Sequence, residues 1–309
     1  MNTFDYRQGL AYMRDSFIPF NKATLSVASS PILYGLSVYT VCRVTYNPED
    51  GTLYGFRLKD HYDRLVASAK IMDFHNFIAE WTYERFETMI RDLVKKNKIK
   101  ETVLVRISVF VDELIAGTRI HGLTHSLSAY IYPIGEILPP KGAHVCVSSW
   151  RRNTDSAIPS RAKVNGGYAN VSLMKNEALQ NGFDDAISLD NEGHVCEGTV
   201  SNLFLVKNGS LVTPHTGSDI LEGITRNSIL TIAKDLNLNV SERSIDRTEL
   251  YTADEAFFTG SSATVIPLLS IDKRPLGKKI GPLSDKIKTA YVKTFTDIQG
   301  PHSGWLTKI

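Results

Sequence analysis

The run Pro133-Ile134-Gly135-Glu136-Ile137-Leu138-Pro139-Pro140-Lys141-Gly142 limits what this chain can fold into more than any other stretch. Its prolines remove backbone donors and its glycines leave the backbone loose, so no regular helix or strand crosses it. The pattern differs on its two sides. Before it, Phe86, Met89, Ile90, Leu93 and Val94 recur at helical spacing. Arg57 to Met72 reads as a second helix, and Thr102 to Phe110 and Leu127 to Tyr132 carry the β-branched and aromatic content of strands. After it come short strands at Asp185 to Leu189 and Asn202 to Val206, with turn signals at Asp190-Asn191-Glu192-Gly193 and Lys207-Asn208-Gly209. A helix over Arg226 to Leu236 follows. The pattern predicts an α+β protein of two domains: a smaller N-terminal domain over 1-133, a linker over 134-143, and a larger domain over 144-309 with a β core flanked by helices.

Composition removes several classes of function. A net charge of +2, from 35 basic and 33 acidic residues, builds no field that favours nucleic acid or an anionic membrane. The basic run Lys95-Lys96-Asn97-Lys98-Ile99-Lys100 ends a helical pattern, where it complements the helix dipole. Cys42, Cys146 and Cys196 lie far apart and show neither zinc nor disulfide spacing, which implies a reducing compartment and no metal. No basic-then-apolar leader begins the sequence, and no run approaches the roughly 20 apolar residues of a membrane span. The expectation is a soluble cytoplasmic protein with neither nucleic acid nor membrane as partner.

Four features beyond the linker carry chemistry. Lys163 sits in Ile158-Pro159-Ser160-Arg161-Ala162-Lys163-Val164-Asn165-Gly166-Gly167-Tyr168, between a proline turn and a glycine pair, where neither helix nor strand propensity wants it. Glu197 stands where a turn passes into the apolar strand Asn202-Leu203-Phe204. Gly223-Ile224-Thr225-Arg226 opens a helix and offers amide N–H groups and a hydroxyl to an anion. Thr259-Gly260-Ser261-Ser262-Ala263 is a run of small residues with several donors. Singly, these read as a solvated lysine, a turn carboxylate, an ordinary helix cap and a plain loop.

Together they resemble a known family. The stretch from Glu197 to Arg226, with its initial Glu, Asn202-Leu203-Phe204, Thr213 and Gly223-Ile224-x-Arg226, is similar to the signature of the class IV aminotransferases, the fold-type IV pyridoxal-phosphate enzymes. Pro159 to Lys163, Ser148-Ser149-Trp150, Gly304-Trp305-Leu306, Tyr34-Gly35 and His61-Tyr62-Asp63-Arg64-Leu65 look most like branched-chain amino-acid aminotransferases. The resemblance implies that Lys163 carries pyridoxal 5′-phosphate as a Schiff base and moves protons, with Glu197 against the pyridine nitrogen. It implies a phosphate cup of Arg64, Ile224, Thr225 and Ser261, and a hydrogen bond from Tyr168 to the phenolic oxygen. Tyr34, Tyr39, Arg106, Arg119, Ser262 and Ala263 would meet the substrate. An amino acid and a 2-oxo acid become the expected partners, 2-oxoglutarate the expected acceptor in a ping-pong cycle, and a homodimer or a multiple of it the expected assembly.

The sequence also departs from the branched-chain pattern. Ser37-Val38-Tyr39-Thr40-Val41-Cys42-Arg43 puts Val41 where those enzymes usually have glycine, and Leu104-Val105-Arg106 keeps an arginine but lacks a tyrosine. Arg119-x-His121, in the loop Ala116 to Gly122, and the strand Val38 to Val41 resemble D-amino-acid aminotransferases, which grip a carboxylate with such a pair. Transfer from a branched-chain L-amino acid is the leading expectation, with transfer from a D-amino acid, a lyase of the aminodeoxychorismate type and a non-catalytic binding module as the alternatives.

Overall fold

A computed structural model describes residues 4–115 and 117–309. The chain forms two units: one comprises the chain up to Ile134, Ala162–Gly166 and Thr294–Ile309, and the other Gly135–Arg161 and Gly167–Lys293.

The first unit is built on β1 (Leu10–Met13), β2 (Ser16–Pro19), β3 (Ser37–Asn47), β4 (Thr52–Phe56), β5 (Val103–Val111) and β6 (His125–Pro133), with the C-terminal strand Leu306–Lys308. Their order is terminal strand, β4, β3, β5, β6, β1, β2, and every neighbouring pair is antiparallel. Helices α1 (Ser30–Tyr34), α2 (Leu58–Ile71), α3 (His75–Glu80) and α4 (Tyr83–Lys96) belong to the same unit. Leu65, Phe86, Ile90 and Leu93 pack with Val105, Ile107 and Val109 in one buried cluster. That is the helical stripe read from the sequence, closing on the inward face of a strand.

The second unit contains β7 (Ala143–Arg151), α5 (Tyr168–Gln180), β8 (Asp185–Leu189), β9 (Val195–Gly198), β10 (Asn202–Lys207), β11 (Ser210–Thr213), α6 (Ile224–Asp235), β12 (Val240–Glu242), β13 (Glu255–Gly260), β14 (Thr264–Ile271), β15 (Arg274–Pro275) and α7 (Pro282–Lys293). The sheet runs β12, β11, β10, β13, β14, β7, β8, β9, with β15 on β14. Its pairs are antiparallel except β11–β12, β14–β7 and β7–β8. Leu203, Leu205, Phe258 and Ile187 lie in its core. The fold is α+β.

Two segments fall differently from a division drawn along the sequence. Residues 294–309 belong to the first unit, because the terminal strand pairs with β4 and the Arg57 N–H donates to the Trp305 carbonyl at 2.6 Å. The short piece Ala162–Gly166 also belongs there, with Val164 bridged to Val38. Both attachments are pairings between distant residues, which local pattern does not report. Among the described residues no helix is long and apolar enough to cross a membrane. All three cysteines are buried free thiols, and burial pushes Cys146 up to about 11.

Candidate active site

In the first unit the Lys163 loop is held by its backbone, so the lysine side chain is not needed to anchor it. The Lys163 N–H donates to Ser68 Oγ at 3.1 Å, and the Lys163 carbonyl accepts from the Tyr39 N–H at 3.0 Å. Ser68, on α2 and fully buried, donates in turn to the Arg64 carbonyl at 2.9 Å. Opposite the glycine pair, Gly35 has a steric cause. Gly35 adopts φ +68° after α1, a Cβ on it would fall 2.5 Å from Gly166 Cα, and the Gly166 N–H donates to the Gly35 carbonyl at 3.2 Å. A side chain is excluded at Gly35, whereas a Cβ at Gly166 would come no nearer than 3.4 Å to any atom.

The ε-amine of Lys163 lies 4.8 Å from the centroid of the buried Tyr39 ring, and the Arg106 guanidinium lies 3.7 Å from the same centroid. On α2, Arg64 Nη2 donates to Thr40 Oγ1 at 3.3 Å, and Thr40 Oγ1 is 2.8 Å from His61 Nδ1. His61 is 2% exposed. Burial, followed by the positive charges of Arg64, Arg57 and Lys163, holds its pKa well below the usual histidine value, so the imidazole is neutral.

In the second unit Glu197 lies on β9, 5% exposed and surrounded by donors. Arg152, just past β7, pairs with its Oε1 at 2.6 Å. Its Oε2 accepts from Asn202 Nδ2 at 2.8 Å and from the Leu221 N–H at 3.3 Å. Asn202 Nδ2 also donates to the Leu221 carbonyl at 2.8 Å, so the segment leading to α6 is tied to the carboxylate. A Cβ on Gly223 would fall 2.0 Å from Asn202 Oδ1. Glycine there lets α6 begin against Asn202 with Ile224 and Thr225 in its first turn, both buried. Tyr168 is the first residue of α5, and Ser261, Ser262 and Ala263 form the half-buried turn between β13 and β14.

The structure thus gathers Lys163, Tyr39, Arg106 and Arg64 in one unit, and Glu197, Ile224 and Thr225 in the other. It does not treat all expected residues alike. Tyr34 ends α1 and is 40% exposed. Arg119 is exposed on its loop, and His121 Nδ1 is 2.9 Å from Asp73 Oδ2. Ala116, which begins that loop, lies outside the described residues. Arg226, which closes the signature, is 1% exposed and pairs with Glu242 at 2.7 Å while donating to the Pro214 carbonyl. Its work is to anchor α6. Sequence reasoning missed Ser68, Thr40, Asn202 and Arg152 as supports. Only Asn202 carried a signal, by standing inside the signature.

An amine beside an aromatic ring, a buried carboxylate held as an acceptor, and hydroxyl, amide and guanidinium donors form the donor set that pyridoxal 5′-phosphate requires. The amino-transferase class IV family matches residues 37–271. The chain belongs to that family. It is a pyridoxal-phosphate-dependent transaminase. It is 36% identical over 308 residues to the probable branched-chain-amino-acid aminotransferase of Aquifex aeolicus, covering 98% of each chain. It is similar to the branched-chain aminotransferase of the archaeon Thermoproteus uzoniensis solved with norvaline, with a TM-score of 0.91 and 35% identity over 97% of this chain and 99% of that one. It is also similar to the branched-chain amino acid aminotransferase of Thermobaculum terrenum in its PLP-form, with a TM-score of 0.91 and 31% identity over 98% of this chain and 99% of that one.

Proposed function

We propose that this enzyme moves the amino group of a branched-chain L-amino acid to 2-oxoglutarate in a ping-pong cycle, as a homodimer or a multiple of it. The observation that carries the reading is the shared environment of Lys163 and Arg106 against the Tyr39 ring. It combines an amine that can move a proton with a fixed cation suited to a second carboxylate. When bound, the cofactor supplies an electron sink that makes the substrate Cα–H acidic.

Lys163 would then be the base that takes the proton from the substrate Cα and returns it. Glu197 keeps a proton on the pyridine nitrogen, and the three donors around it keep it an acceptor. By resemblance to the family, Arg64, Ile224, Thr225 and Ser261 are the residues that would hold the phosphate, and Tyr168 the one that would donate to the phenolic oxygen. Tyr34, Tyr39, Ser262 and Ala263 shape the substrate side. Arg106 meets the distal carboxylate of glutamate or 2-oxoglutarate, which an aliphatic substrate lacks. The engagement of His121 with Asp73 argues against a carboxylate grip by Arg119 and His121.

A panel of L- and D-amino acids with 2-oxoglutarate or pyruvate tests the reading. Leucine, isoleucine and valine in the L form with 2-oxoglutarate are expected to react fastest, with parallel double-reciprocal plots. Faster transfer from D-amino acids would overturn the stereochemical assignment. Turnover of an aminodeoxychorismate-type substrate without any acceptor would establish a lyase instead. Light scattering that gave a fully active monomer would overturn the assembly.

A further inference from the structure

Arg106 reaches the Lys163 loop through a single side chain. Its Nη2 donates to Asn165 Oδ1 at 2.8 Å, and Asn165 Nδ2 donates to Ser37 Oγ at 2.8 Å. The direction is forced. A guanidinium only donates, so the amide oxygen must face it and the amide NH2 is left for Ser37. Ser37 and Arg106 stand on β3 and β5, which pair along their length, so both ends of the chain rest on one rigid surface. Asn165 follows Lys163 by two residues, and Val164 between them bridges Val38.

We propose that Asn165 is a positioning residue for Lys163, acting through the Ser37–Asn165–Arg106 hydrogen-bond chain, and that a dicarboxylic substrate recruits Arg106 in competition with the Asn165 amide. The second half of this inference rests on the role given to Arg106 under the proposed function. A neutral amide offers the guanidinium one bond, whereas a carboxylate offers two charge-assisted ones. The amide can therefore hold Arg106 beside the loop and still yield to a distal carboxylate. A leucine side chain makes no claim on Arg106 and leaves the chain closed. Asn165 thus couples the kind of substrate bound to the restraint on the lysine.

Two substitutions separate this from a merely structural role. Asn165→Asp puts a permanent carboxylate against Arg106, and half-reactions followed by cofactor absorbance are expected to show the KM for L-glutamate rising about tenfold more than that for L-leucine. Asn165→Ala removes the restraint, and in the cofactor-free protein amide hydrogen exchange of the peptide spanning Ala162–Gly166 is expected to quicken about tenfold, with Asn165→Asp remaining close to the parent. Unchanged exchange in Asn165→Ala would overturn the anchoring. Equal effects of Asn165→Asp on both KM values would overturn the competition. If the parent enzyme transfers no amino group between leucine and 2-oxoglutarate, the functional reading fails, and the exchange measurement still decides the anchoring by itself.

Discussion

Replacing Glu197 by glutamine exposes how tightly the second unit is built around one carboxylate. Every group facing Glu197 in the network described above is a donor: the Arg152 guanidinium at 2.6 Å, Asn202 Nδ2 at 2.8 Å and the Leu221 N–H at 3.3 Å. Glutamine has one oxygen and one NH2, so some donor must face a donor whichever way the amide turns. With the oxygen towards Arg152, the NH2 meets Asn202 and Leu221. Asn202 cannot turn its own amide round without losing the bond to the Leu221 carbonyl. Converting a charge-assisted bond to a neutral one forfeits part of its 1.5–3 kcal/mol, and an unpaired buried donor costs about 1–3 kcal/mol more. The expected loss is therefore about 2–5 kcal/mol, overlapping the range for breaking a buried ion pair. Chemical unfolding of the cofactor-free Glu197→Gln protein should show it. In a double-mutant cycle with Arg152→Met the two losses should fall short of adding, by about 1 kcal/mol or more. Turnover should also drop about tenfold to a hundredfold or more, because a proton on the ring nitrogen loses its charged partner. Cofactor retention should fall less, since the proposed phosphate contacts lie on other residues. A Glu197→Gln protein within about 0.5 kcal/mol of the parent, the ordinary span of an indifferent substitution, would refute the network as the source of stability. Full turnover would refute the role at the ring.

Other substitutions test the first unit. Lys163→Ala should abolish transamination and leave the fold intact, because the loop is held through the Lys163 backbone. Borohydride reduction followed by peptide mapping should place the pyridoxyl label on Lys163, and a label on Lys175, whose amine donates to the Asp184 carbonyl, would refute that assignment. Gly35→Ala should destabilise by about 1–3 kcal/mol or more, since it combines a positive φ with a contact against Gly166 Cα, and thermal unfolding at the parent temperature would disprove the close approach. His61 is kept neutral by burial and nearby cations, so below the unfolded value of about 6.5 only the unfolded chain takes up the proton. Stability should therefore fall as the pH falls below about 6.5, a dependence that His61→Gln should lack, and identical pH dependence in the two proteins would refute it.

What the sequence discloses is local, and what it hides is pairing. Strands β5, β6 and β8 are legible because their β-branched and aromatic residues form unbroken runs, and α4 because its apolar stripe repeats along one helix. The attachment of the terminal strand to β4 leaves no trace in either segment, which is why residues 294–309 read as part of the second domain. The same division runs through the site. Lys163, Glu197 and the Gly223 turn stand out because their chemistry or backbone geometry is unusual where they lie. Ser68, Thr40 and Arg152 are ordinary residues on a helix, a strand and a strand end, and they gain their roles only when β3 meets α2 and β7 meets β8. Arg106 shows the consequence for function. From the sequence it is an arginine on a strand, open to a carboxylate. In the structure it already has a partner, Asn165, in the very loop that carries the lysine. On the proposed role of Arg106, its affinity for a substrate carboxylate would be a difference between two partners, set by a residue whose importance no local pattern announces.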